Sequence, residues 1–208
     1  MGDCAERPSA DYRPSVGSAE RATCAIEVSA MDDETGYHMF CTYERLRGAV
    51  RRGDRALAAR LAPKLAALHR ANECRNTSLM SPFYEAYISE ARGRFESAIR
   101  HYRRALAKIV RVLPVVFPSC RPDADISPEC ARSIDASSRC LLRSLSREAV
   151  SRLDLLYRRL GKNAERRLLP ERLREVYRRI DEARDRGEAI WNARRAKHNT
   201  DRSPTPSV

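Results

Sequence analysis

Large apolar residues recur three and four positions apart along much of the chain, the spacing that places side chains on one helix face. Phe83, Tyr84, Tyr87, Ile88 and Ala91 make one such stripe. Phe95, Ala98, Ile99, Tyr102, Ala105, Leu106 and Ile109 make a second. Arg92-Gly93-Arg94 separates them, and a glycine there permits the positive φ that a tight helix-to-helix turn uses. Small Ala98 and Ala105 would let helices approach closely, while Phe95 and Tyr102 fill the space on either side. A lone helical hairpin leaves one apolar face uncovered, so the pattern predicts a stack of hairpins.

A weaker hairpin precedes it, between Tyr37 and Arg70. Met39, Phe40, Tyr43, Leu46 and Val50 form its first stripe, and Ala56, Leu57, Leu61, Leu65 and Leu68 its second, around Arg51-Arg52-Gly53-Asp54. Gly53 precedes Gly93 by 40 residues. Pro63 lies inside the second stripe, where it removes a backbone hydrogen bond and favours a kink. The stretch 114–129 carries four prolines and predicts an insert loop, with Val115-Val116-Phe117 tucked against the hairpin. Helix resumes at Ala131 and reaches about Leu160, ended by Gly161. A break near Ser146 would make it another hairpin; without one it is a single long helix. The last helix, about Ala164 to Ala196, places Leu169, Leu173, Val176, Ile180, Ala183, Gly187 and Ile190 at alternating four- and three-residue steps. That heptad seam suits a terminal capping helix or a coiled-coil dimer through 169–190, and small Ala183 and Gly187 favour the cap. Trp191, the only tryptophan, is expected to anchor this helix to the body.

Ser81 to Lys108 resembles a tetratricopeptide (TPR) repeat. Gly93, Phe95, Ala98, Ile99, Tyr102, Ala105 and Leu106 stand where that family has its glycine, aromatic, alanine, aliphatic, second aromatic and closing alanine-leucine pair. The resemblance implies an all-α fold, with hairpins stacked as a short right-handed array over 37–198 and a long C-terminal capping helix. It also implies a non-catalytic adaptor that holds a partner's peptide or helix in a groove, with Tyr84, Tyr87, Glu90 and Arg94 as partner-binding candidates. Chaperone-tail recognition is disfavoured. The positions that would clamp a carboxylate hold Ala86 and Glu90 in one hairpin and Leu46 and Val50 in the other.

Charge changes this picture. The 208 residues carry 40 Lys and Arg against 28 Asp and Glu, a net charge of +12. Residues 1–36 sum to −5 and the remainder to +17. The first 36 residues are expected to be a disordered acidic tail, and 199–208 a second disordered tail. Arginines cluster at 45–55, 100–104, 158–167, 172–179 and 194–195. Arginine suits phosphate and carboxylate forks, so binding of RNA or an anionic surface is an alternative function. Interleaved acids, as in 171–182, suit a solvated face instead. A third possibility is an MIT-like module (microtubule interacting and transport), which would bind helical tails of membrane-remodelling proteins; Gly93 to Ile109 followed by a Leu-rich helix also suits that fold.

Catalytic signatures do not appear, so no enzyme, no catalytic residue and no cofactor is expected. Seven cysteines include no Cys-x-x-Cys pair and the four histidines are scattered, so no metal site is expected. No apolar stretch is long enough for a transmembrane segment. An odd cysteine count, without a basic region and apolar core at the N-terminus, places reduced thiols in a cytoplasmic or nuclear protein.

Overall fold

The structure, a computed structural model, describes residues 34–72, 79–117 and 128–201. The acidic segment 1–33, most of the proline-rich insert and residues 202–208 lie outside the described residues. Every regular element among the described residues is a helix, so the fold class is all-α. In chain order they are α1 (Glu34–Arg52), α2 (Arg55–Ala71), α3 (Ser81–Ala91), α4 (Phe95–Val116), α5 (Pro128–Arg159), the single-turn α6 (Asn163–Arg167) and α7 (Leu169–Asp201). Each helix of α1 to α5 packs on the next, α1 also packs on α3, and α7 closes against α4 and α5.

Three turns share one hydrogen-bond frame. The glycine N–H donates to the carbonyl three residues back: Gly53 to Val50, Gly93 to Glu90 and Gly161 to Arg158. The next N–H donates five back: Asp54 to Ala49, Arg94 to Ser89 and Lys162 to Tyr157. This is the Schellman pattern, which satisfies carbonyls that the helix end would strand. It needs a left-handed residue, and the three glycines have φ of 75°, 70° and 68°. The following helix starts alike each time, with Ala58, Ala98 and Arg166 donating to the carbonyls of Asp54, Arg94 and Lys162. Asp54 also caps α2, its carboxylate accepting from Leu57 N–H at 2.9 Å.

The core is one continuous cluster running from Met39 to Ala183. Its centre is aromatic. Tyr43 meets Tyr84 at 4.9 Å and Tyr87 at 5.7 Å, and Tyr87 meets Tyr102 at 5.7 Å, all edge-on. His69 joins the end of the row, 5.8 Å from Tyr84 and hydrogen-bonded to Ser81 Oγ at 3.0 Å, which ties α2 to α3.

Several boundaries differ from the sequence expectations. The first helix begins at Glu34, three residues before Tyr37. Residues 128–159 form one helix, so there is no hairpin break at Ser146, whose buried hydroxyl donates to the Leu142 carbonyl within the helix. The expected insert at 114–129 is shorter. α4 continues through Pro114 because Leu113 and Phe117 are buried beneath its last turn, and α5 starts on Pro128, where a missing N–H costs nothing. Phe117 is fully buried, as expected of the apolar piece there. α2 likewise runs on through Pro63, with the ring on its exposed side and Ala62 and Leu65 buried. The last helix is not continuous from Ala164. Pro170 cannot donate into an unbroken ladder, so the chain steps at Leu168 between α6 and α7.

Of the two readings of the α7 heptad seam, the coiled-coil dimer is the one corrected. Leu169, Val176, Ile180 and Ala183 are buried inside the chain, and α7 lies along α5 and α4. Arg139 and Arg143 of α5 bind Asp181 at 2.8 and 2.5 Å, and the Arg143 guanidinium sits 4.9 Å from the Tyr177 ring centre. These seam residues cannot also form a coiled-coil dimer. Trp191 is only half-buried and stands outside the core cluster, because α7 runs past the helices it covers.

Candidate functional site

The partner-binding residues expected from sequence fall in three different settings. Tyr84 is 2% exposed and held in the aromatic row. Tyr87 is fully buried. The Glu90 side chain is 8% exposed. Arg94 alone is open to solvent, at the turn before α4. The structure brings Tyr87 and Glu90 together and leaves Arg94 apart from them.

What covers Tyr87 and Glu90 is the chain's own α5. α1 presents Glu44 and Arg47 one turn apart, α3 presents Tyr87 and Glu90, and α5 presents Glu148 and Arg152. Glu148 accepts from Arg47 Nε at 2.7 Å and Nη2 at 2.5 Å, and from the Tyr87 hydroxyl. Arg47 Nη1 also donates to Glu44 at 2.9 Å. One turn further along, Arg152 Nε donates to Glu90 Oε2 at 3.2 Å and Nη2 to Oε1, while Tyr102 donates to Glu90 from α4 at 3.1 Å. The Arg152 side chain is 11% exposed, so this is a buried ion pair. Burial alone would lower the Arg152 pKa, but the Glu90 hydrogen bond and charge outweigh it and hold the guanidinium charged. Burial raises the pKa of Tyr43, Tyr87 and Tyr102, and the nearby carboxylates raise them further. The Tyr43 hydroxyl is buried without a hydrogen-bond partner among the described residues.

Sequence reasoning missed Arg47, Tyr102, Glu148 and Arg152 as site residues. One signal was present. Arg152 lies three residues after Ala149 and four before Leu156, both buried, so it interrupts an apolar stripe. A charge at such a position calls for a buried partner.

An open groove of about 980 Å³ lies on a different face, between α4 and α7. Its floor is apolar: Leu106, Ala107 and Val110 of α4 face Leu168 and Val176. Its rim carries Arg103, Arg172, Arg174, Arg178 and Arg179 with Glu171 and Glu175. Glu175 binds both Arg178 and Arg179 at 2.7 Å, and these hydrogen bonds lower its pKa to about 2. Arg178 also pairs with Glu182. Arg103 is steadied from below, its Nε donating to the Tyr157 hydroxyl at 2.7 Å. Arg172 and Arg174 have no carboxylate partner among the described residues.

No His, Cys, Asp and Glu group able to hold a metal ion occurs among the described residues, and no helix among them is long and apolar enough to cross a membrane. No protein-family model, no curated protein and no solved structure matches the chain.

Proposed function

We propose that the chain is a non-catalytic, TPR-like scaffold that binds a protein partner. The carrying observation is the open groove between α4 and α7, an apolar floor between packed helices. Two further observations support the scaffold reading. The same turn frame recurs at Gly53, Gly93 and Gly161, which suits a chain of successive helical hairpins. Tyr43, Tyr87, Tyr102 and Arg152, whose pKa values are raised, are packed where α1, α3, α4 and α5 meet, so their polarity serves helix docking.

The face that carries Tyr84, Tyr87 and Glu90 serves in this reading as the seat of α5, and partner binding passes to the open groove. The alternative, RNA or an anionic surface, draws support from Arg172 and Arg174, which have no carboxylate partner among the described residues. Arginine forks alone do not need an apolar floor, and this groove has one.

Affinity capture of the full chain after in-cell crosslinking, with and without nuclease, tests the reading. Protein partners that survive nuclease are expected. Captured material that disappears with nuclease, together with crosslinked RNA, would overturn it in favour of the nucleic-acid reading.

A further inference from the structure

Resting on the scaffold reading, we infer that the groove between α4 and α7 receives an acidic amphipathic helix of a partner protein. Three features of the groove select this occupant. The first is Leu168. The step forced by Pro170 buries Leu169 but leaves Leu168 47% exposed on the groove floor. An exposed leucine there adds nothing to the core, whereas it can meet an apolar side chain of a guest. The second is charge. Arg178 and Arg179 are already matched by Glu175 and Glu182, whereas Arg103 donates to the Tyr157 hydroxyl and Arg172 and Arg174 have no carboxylate partner among the described residues. Among the described residues, the groove therefore presents uncompensated positive charge along an apolar floor. The third is geometry. Two helices form the walls, and such a groove accepts a third helix through anchors at i, i+3, i+4 and i+7. A guest with leucines at those positions and glutamates beside them would match both floor and rim.

A nucleic acid would use the arginines and ignore Leu168; a helix would use both. That difference sets the experiment. The probe is a fluorescent synthetic helix with leucine at i, i+3, i+4 and i+7 and glutamate at its other positions. The comparison probes are the same peptide with lysine for glutamate, the same peptide with serine for leucine, and a single-stranded RNA oligonucleotide. With the full chain, the acidic leucine peptide is expected to bind saturably with a Kd on the order of 10 µM, and each control peptide about tenfold more weakly or worse. Leu168→Ser and the double change Arg172→Gln with Arg174→Gln are each expected to weaken it by about tenfold. All three positions lie at the surface, and unchanged far-UV circular dichroism and melting would establish that the variants fold.

Binding of the acidic peptide that ignores Leu168→Ser, or RNA binding tighter than peptide binding, would overturn the inference. So would a photocrosslinker at position 172 of the free chain that captures residues 1–33 or a second copy, since the groove would then have a different occupant. Failure here is separable from failure of the scaffold reading. Nuclease-resistant protein partners that crosslink elsewhere on the molecule would leave the scaffold standing and remove only this groove assignment.

Discussion

Arg152 shows how one side chain can fix the position of a whole helix. It reaches from α5 into Glu90 on α3, where Tyr102 of α4 supplies a further hydrogen bond. The pair is nearly closed to solvent, so removing one partner strands a buried charge. Arg152→Met alone, or Glu90→Gln alone, is expected to lower stability by about 3–5 kcal/mol, and the double change by much less than the sum. Urea melts of the two singles and the double check this; strict additivity would show the pair to be uncoupled. The buried tyrosines make a second test. A phenol whose folded pKa is raised favours folding fully below its unfolded value near 10, and that contribution is lost as pH rises through the folded value. Tyr43, Tyr87 and Tyr102 all have raised values. In an ultraviolet titration of the eight tyrosines, these three are expected to ionise only with cooperative alkaline unfolding. Smooth ionisation of all eight near pH 10, with the fold intact, would contradict the burial described.

Among the elements, the turns are the most regular. Gly53, Gly93 and Gly161 close three hairpin junctions with one frame, and each stands at positive φ with nothing within 4 Å of an added Cβ. Conformation rather than space excludes a side chain there. Gly93→Ala is expected to cost about 1–2 kcal/mol, the left-handed penalty. Gly48, inside α1, is the control. A Cβ there would meet only the flexible end of Arg52, at 3.1 Å, and helical backbone prefers alanine. Gly48→Ala is therefore expected to stabilise by up to ~1 kcal/mol. Thermal melts of the two variants should shift in opposite directions. The helices themselves were largely legible, because strong apolar periodicity marks them. Their ends were less so. Pro114 and Pro63 lie in helices whose neighbouring apolar residues are buried, and that packing outweighs the lost hydrogen bond. Pro170 does interrupt, at a point where the chain is already turning from α5 into α7.

In the whole molecule, α5 and α7 divide the surface into what is used internally and what is left open. α5 occupies the face of Tyr87 and Glu90, and α7 covers α5 and α4 while leaving a groove beside α4. Of the candidate residues expected from sequence, Tyr87 and Glu90 lie together, on a face that α5 fills. Nothing in the periodicity distinguished a groove awaiting a partner from a groove awaiting a later helix, since both need the same aromatic and charged positions. Arg152 within its apolar stripe was the one local sign that α5 carries the complementary charge.

Sequence was enough for the all-α class, the Gly53 and Gly93 hairpins, and most of the apolar face of each of α1 to α5. Helical period, glycine turns and side-chain size act over a few residues and can be read along the chain. Only the folded arrangement decided that residues 128–159 run unbroken, that the α7 seam is spent on α5 and α4, and that Glu148 and Arg152 close over Tyr87 and Glu90. Those outcomes depend on contacts between residues some 60 positions apart, such as Tyr87 with Glu148 and Glu90 with Arg152. At that separation pairing is fixed by which buried charges and apolar faces can be satisfied together, a condition that no local pattern contains.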